Sequence, residues 1–310
     1  MIKKIMNLPS AIKSLTIKDV KGFFKHIWYT FRHTPISRKL VYLFVIALVA
    51  FTALPLVYLV SSAFKPLDEL FLFPPRFFVR NPTTKNFSEL LLAMDSSVIP
   101  FSRYIANSII ISIATVAGTV VVCTMGAFAL TKIRLPKGNI IFSIIIATLM
   151  FSPPVTQITN YLVVQFLHMY DNPLALIVPK IAGSYYLFLL KQSFGEIPDA
   201  LIEAAKIDGC SYWTIYARII MPTTRPAWAT AIVFSFVASW NDFTGPMVYI
   251  KTSVLKTLPL ALQSLQGGAG QVARTGAFAA ASLITTLPTI LVFVAMQSKV
   301  IDTMTHSGIK

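Results

Sequence analysis

The sequence predicts an all-α, polytopic membrane protein with six transmembrane helices. Three observations carry that expectation. The 310 residues are 55% hydrophobic and 13% charged, with a mean hydropathy of +0.69, whereas soluble domains carry about 25% charged residues. Several apolar runs reach the ~20 residues that cross a hydrocarbon core as a helix. The net charge is +15, but the basic residues flank apolar stretches, so membrane topology accounts for them and nucleic acid is not an expected partner.

Residues 1–39 hold nine Lys and Arg against one acid, Asp19. Val20, Phe23, Phe24, Ile27, Trp28 and Phe31 recur at helical spacing, with Lys21, Lys25 and Arg32 off that stripe. This predicts a basic amphipathic cytoplasmic segment, lying on an anionic inner leaflet or packed on the membrane domain or a partner subunit. The basic lead and the run after it are too long for a cleaved signal peptide. Residues 40–310 then form one transmembrane domain.

Span 1 covers about 40–63 and contains Pro55, which a membrane helix tolerates when neighbours satisfy the freed carbonyl. A Pro-rich polar interval follows over 64–103. Span 2, about 104–130, has Ala114 and Gly118 as a small face for close helix approach. Span 3, about 140–163, carries Pro153-Pro154, which predicts a kink, because two backbone donors are missing. Span 4 is about 173–192 and contains Lys180. Span 5, about 226–249, includes Trp240-Asn241-Asp242. A Gly-rich loop at 267–270 precedes span 6 at about 277–298.

Six spans put both termini on one side, and the positive-inside rule chooses it. With a cytoplasmic N-terminus, the inner segments carry 18 Lys and Arg and the outer ones nine. The turn at 132–137 and the interval 195–222 are then cytoplasmic.

That interval reads as two short helices meeting at a corner. Pro198 suits a first helical position. Asp199 and Glu203 lie a turn apart near the positive end of the dipole, and Ala204 and Ala205 keep one side thin. Asp208-Gly209 ends the helix, glycine taking the left-handed conformation without strain. Ser211 is a good cap for the next helix, whose Tyr212, Ile215, Tyr216 and Ile219 share a face. Pro222 is expected to stop it.

Here the residues resemble a known family. Glu203-Ala204-Ala205, then Gly209, then Ile219-Ile220-Met221-Pro222 is similar to the "EAA" loop of bacterial ABC importer permeases, with Met221 where Leu is usual. Ile197-Pro198-Asp199, Phe64-Lys65-Pro66, Pro74-Pro75, Asn86-Phe87, Tyr104 through Ser108 and Trp240-Asn241-Asp242-Phe243 resemble the maltose-permease-like carbohydrate subfamily. The resemblance implies a non-catalytic transport subunit in the bacterial cytoplasmic (inner) membrane. Its implied partners are a second homologous permease in a heterodimer, two ATPase subunits and an extracytoplasmic solute-binding protein. It assigns ATPase coupling to Glu203, Ala204, Ala205, Asp208, Gly209, Ser211 and Pro222. The tail at 305–309 faintly resembles one that reaches between the ATPases. No Gly-x4-Gly-Lys-Ser/Thr loop is present, so ATP and Mg2+ belong to the partner ATPase and no cofactor is expected in this chain.

Substrate-pathway candidates come from polar residues within spans. Gln157, Asn160 and Tyr161 stand beside the Pro153-Pro154 pair, where polar path or helix–helix bonding explains them equally. Ser235, Ser239 and Asp242 share one face; Asp242 either lines a path or caps a turn before Gly245-Pro246. Trp240, Phe243 and Tyr249 suit sugar stacking or, more simply, an interfacial aromatic belt. Asn241 lies between two of these candidates. Lys180 either snorkels outward or meets an acidic oligosaccharide. Cys123 and Cys210 predict neither disulfide nor metal site, and the four histidines have no metal-ligand spacing. The rival readings are a same-architecture permease for a polyol, glycerol phosphate or peptide, and an ion-coupled secondary transporter. An intramembrane enzyme lacks support, since neither HExxH nor GxSxG occurs.

Overall fold

The computed structural model describes residues 35–95, 99–133, 135–263 and 274–307. The basic lead before residue 35, Arg134, the Gly-rich loop and the last three residues lie outside the described residues. The chain divides into two units, residues 1–58 and 59–310, each taken by itself.

Helix α1 (Ile36–Ala63) supplies all that is described of the first unit and runs five residues into the second. Pro55 lies inside it without ending it. The Thr52 hydroxyl donates back to the carbonyls of Leu48 and Val49, both at 3.0 Å, so it presents no unpaired donor to hydrocarbon.

In the second unit every described regular element is helical. The Pro-rich interval holds α2 (Leu67–Leu70) and α3 (Lys85–Asp95). Glu69, buried in α2, accepts from the amides of Arg80 and Asn81, each at 3.0 Å. The buried Asn86 amide donates to Ala63 O and Lys65 O at 2.9 and 2.7 Å. This folds the interval into a cap against the last helix. Gly276 permits the contact: a Cβ there would collide with Asn86.

Helix α4 (Phe101–Phe128) continues through a π turn at Ala129–Ile133. The expected close approach at Gly118 is present, for a Cβ there would lie 2.6 Å from Ile181 Cγ2. Among the described residues, four helical segments are long and apolar enough to cross a membrane: Lys39–Ala63, Phe101–Ile133, Leu174–Gly195 and Thr275–Ser298.

The expected spans 3 and 5 are not single helices. Span 3 is α5 (Gly138–Thr148) and α6 (Pro153–Phe166). The chain leaves the helix before the prolines, because the residue preceding a proline avoids the α region; Pro153-Pro154 then begin a helix, where their missing donors cost little. A break replaces the expected kink. Span 4 is also interrupted, as α7 (Leu174–Ile181) and α8 (Ser184–Gly195). The Cys123 thiol lies 3.5 and 3.8 Å from the part-buried carbonyls of Ile181 and Gly183 and gives its one weak donor to backbone freed at the break.

After α9 (Asp199–Ile207), α10 runs from Tyr212 through a π turn at Tyr216–Ile220 to Thr223. Pro222 therefore does not stop the helix. The wider π turn just upstream moves the carbonyl that a proline ring normally meets. Only Thr224 separates α10 from α11 (Arg225–Trp240). That joint is braced: Thr224 N and Oγ1 donate to Ile220 O, and Trp228 Nε1 donates to Met221 O at 2.9 Å. Span 5 ends early, at Trp240, and resumes as α12 (Thr244–Tyr249). Then come α13 (Leu258–Gln263) and α14 (Thr275–Ser307), which contains Pro288.

Helix α11 packs against both α4 and α14. One core gathers Cys123, Phe128, Leu190, Phe194, Ile215 and Ile220; a second gathers Leu90, Tyr104, Trp240, Leu258 and Ala280. The first core joins the corner helices to α4 and α8. The second joins the loop cap to α11 and α14.

Candidate functional site

Two places collect the candidate residues. The first is the corner between α9 and α10. Asp208 N bonds Ala204 O, Gly209 N bonds Lys206 O at 3.0 Å, and Cys210 N bonds Ala205 O at 2.9 Å. The last two form the paired bonds of a Schellman turn, and Gly209 has φ +77°. Ser211 Oγ accepts from Thr214 N at 3.2 Å, capping α10 as the sequence predicts. Pro198 is one residue earlier than expected, extended, with the helix starting at Asp199.

The two alanines divide. Ala205 is buried with Ile197 and Ile202 in the first core, while Ala204 and Glu203 face outward. Ile215, Tyr216 and Ile220 are buried, but Tyr212 is not, so the predicted shared face excludes it. Lys206 Nζ instead sits 4.8 Å over the Tyr212 ring, across the corner. Leu201, Ile207 and Trp213 are 51%, 87% and 65% exposed, which gives the corner an apolar outer surface around Glu203.

A residue that the sequence did not flag holds the corner to the bundle. Lys132, at the end of the α4 π turn, is buried, and its ammonium donates to Ile197 O at 2.6 Å and Asp199 Oδ1 at 2.8 Å. Asp199 is thus an ion-pair partner in the first turn of α9. The Tyr216 hydroxyl makes a second tie to α4, at 2.7 Å from Thr124 Oγ1.

The second place is a cavity of about 380 Å³ between α6, α7 and α12, lined by Gln157, Asn160, Lys180, Asp242 and Tyr249 among others. Lys180 does not snorkel outward. Its ammonium is 2.6 Å from Asp242 Oδ2, with the side chains 31% and 16% exposed. The other Asp242 oxygen accepts from Gly245 N at 3.0 Å, so the turn-capping reading of Asp242 holds and the pairing is added to it. A Cβ on Gly245 would collide with that carboxylate. Tyr161 stacks on Tyr249, centroids 6.4 Å apart and planes at 13°, and accepts a hydrogen bond from Gln165.

The remaining candidates are elsewhere. Ser235 and Ser239 are buried in helix packing. Trp240 is 3% exposed, stacks on Phe236 and donates to Thr285 O at 2.8 Å; it belongs to the core rather than to a sugar platform or an interfacial belt. Asn241 bonds Val237 O and Thr289 Oγ1. Phe243 lines a separate groove of about 310 Å³ with Leu262 and Phe278.

Among the described residues every regular element is helical, and several helices are of membrane-crossing length. Residues 124–299 match the family described as binding-protein-dependent transport system inner membrane component, and the chain belongs to that family. It is the inner-membrane permease of a binding-protein-dependent ABC importer and not a catalyst; such a permease works with a partner permease, ATPase and solute-binding protein. The putative ABC transporter permease protein ORF2 of Caldicellulosiruptor sp. (strain Rt8B.4) is 30% identical over 88% of this chain and 98% of its own length. The arabinooligosaccharides transport system permease protein AraQ of Halalkalibacterium halodurans is 27% identical over 85% of this chain and 94% of its own. A bacterial ABC transporter involved in the import of the acidic polysaccharide alginate has the same fold: TM-score 0.74, 19% identity, covering 86% of this chain and 98% of that one.

Proposed function

We propose that the chain imports oligosaccharides, crossing the membrane six times with both termini cytoplasmic, and that its ATPase docks on the corner between α9 and α10. The observation that carries the docking is the surface around Glu203, where Leu201, Ile207 and Trp213 are exposed outside any membrane-length helix. Large apolar side chains left exposed at one corner, beside charged ones, suit a protein contact. Glu203 supplies the acid for a basic residue of the ATPase, and Gly209 sets the angle. Asp208, Ser211 and Pro222 shape the same element. The break residues 149–152 and 241–243 give the pathway spans 3 and 5 discontinuous helices, whose freed backbone is tolerated where it meets protein or a water-filled route. The 27% identity to an arabinooligosaccharide permease supports the carbohydrate reading.

The test is a complex reconstituted with its ATPase, partner permease and binding protein. Binding protein loaded with neutral or uronate-containing oligosaccharide stimulates ATP hydrolysis; stimulation by glycerol 3-phosphate and by neither sugar class overturns the carbohydrate reading. Glu203→Lys loses ATPase copurification and transport. If both survive that charge reversal, the docking role is wrong.

A further inference from the structure

We infer that the cavity at the Lys180–Asp242 pair is a contact site for a neutral sugar ring, which gives this subunit a direct hold on its cargo. The inference rests on the carbohydrate reading above and adds the charge class and the residues.

Position comes first. Lys180 lies six residues beyond Leu174, roughly 9 Å along a helix at about 1.5 Å per residue. An ammonium, a carboxylate and two amides at that depth do not face lipid. The cavity is a groove on this subunit, and its volume of about 380 Å³ falls within the ~300–1,000 Å³ usual for small-ligand sites.

The donor set comes second. Gln157 and Asn160 each offer a donor and an acceptor, and they present them from successive turns of α6. Asp242 accepts and Lys180 donates, both held in place: the carboxylate by Gly245 N and the ammonium by the carboxylate. Sugar hydroxyls, which donate and accept in turn, match this mixed set. Tyr249, buried and stacked on Tyr161, closes the base of the site as an apolar floor.

Charge comes third and selects the class. The one ammonium of the lining is already neutralised at 2.6 Å by Asp242. A uronate or phosphate entering there would put a second anion beside Asp242, and like charges sharing a site are disfavoured. A neutral sugar keeps the ion pair intact and adds hydrogen bonds to it. The helix breaks lie beside the site: α7 ends one residue after Lys180, and α11 ends two residues before Asp242.

The test uses the complete complex in proteoliposomes, with arabinotriose and maltotriose as neutral probes and trigalacturonate as the acidic one. Uptake per ATP hydrolysed is the readout. The wild-type complex takes up a neutral trisaccharide, and that ratio falls about tenfold in Asn160→Ala and in Gln157→Ala, as expected for a hydrogen bond of about 1.4 kcal/mol lost from the bound sugar. Asn160 is exposed, so its truncation leaves the fold intact. A wild-type ratio in both variants overturns the site. Uptake of trigalacturonate alone overturns the neutral class but leaves the carbohydrate importer standing. Uptake of no saccharide removes both readings.

Discussion

The Lys132 ammonium lies 2.8 Å from Asp199 Oδ1 and joins the end of α4 to the first turn of α9. The lysine side chain is 3% exposed and the aspartate 47%. The asymmetry sets the energetics. A buried lysine that loses its acceptor is costly, whereas a half-exposed aspartate that loses its lysine rehydrates. Lys132→Met therefore destabilises by about 1–2 kcal/mol, below the ~3–5 kcal/mol of a fully buried broken pair. Asp199→Leu takes the carboxylate from the buried ammonium, which keeps its bond to Ile197 O, and costs more, about 3 kcal/mol. Thermal unfolding of the detergent-solubilised complex measures both, and the double variant shows whether the losses couple. Equal losses from the two single variants would contradict the asymmetry.

Gly118 and Ile181 make a contact with no spare room. Gly118→Val forces α4 and α7 apart; overpacking of this kind costs about 1–3 kcal/mol. Ile181→Ala creates the missing space, so the double variant regains much of the loss. Expression and thermal midpoint of the three variants, against wild type, read this directly. A double variant no better than Gly118→Val alone places the strain elsewhere.

Trp240 separates a packing role from a sugar-binding role. Trp240→Ala removes a buried ring and destabilises by about 3–5 kcal/mol. Trp240→Phe keeps the ring against Phe236 and loses only the bond to Thr285 O, about 1 kcal/mol. Both variants that assemble keep the wild-type saccharide concentration for half-maximal uptake. A shift of that concentration in Trp240→Phe would return the residue to the pathway.

Asp171 fastens the turn between α6 and α7 to the segment after α12. Its carboxylate accepts from Thr252 Oγ1 at 2.6 Å and from the amides of Lys251 and Thr252 at 2.8 Å. These bonds, the Thr252 hydroxyl foremost, hold its pKa below the ordinary aspartate value. A depressed carboxylate stabilises above its unfolded pKa, about 3.9, and that contribution is lost as pH falls through the lower folded value. The turn is therefore indifferent to pH from 5 to 8 and loosens in more acidic solution. Protection of the Lys251 and Thr252 amides, measured relative to Asp171→Asn, stays constant from pH 8 to 5. A change within that window would show another group in control.

Much of the architecture is legible in composition and local spacing, because the signals are local. Gly209 and Ser211 declare the corner through backbone preferences that act over a few residues. The ion pairs are not legible. Lys132 and Asp199 are 67 residues apart and Lys180 and Asp242 are 62, and no periodicity connects them. The helix breaks hide for a different reason. At Ala182-Gly183 the Cys123 thiol from α4 meets the carbonyls of the break, and at 241–243 Asp242 accepts from Gly245 N; Gly183 and Gly245-Pro246 are local breakers, but their partners are read only in the fold. Pro222 misleads in the opposite sense, since a π turn lets a proline pass.

That passage through Pro222 has a mechanical consequence. With Trp228 strutting the joint at Thr224, the corner and α11 make one crank about 16 residues long beyond the joint, roughly 24 Å at about 1.5 Å per residue. If the ATPase docks as proposed, a tilt of about 10° delivered at the corner swings the Trp240 end by about 4 Å over that arm length. Two residues further on is Asp242. The stroke made where fuel is burned would thus be felt, with little slack, where cargo is held.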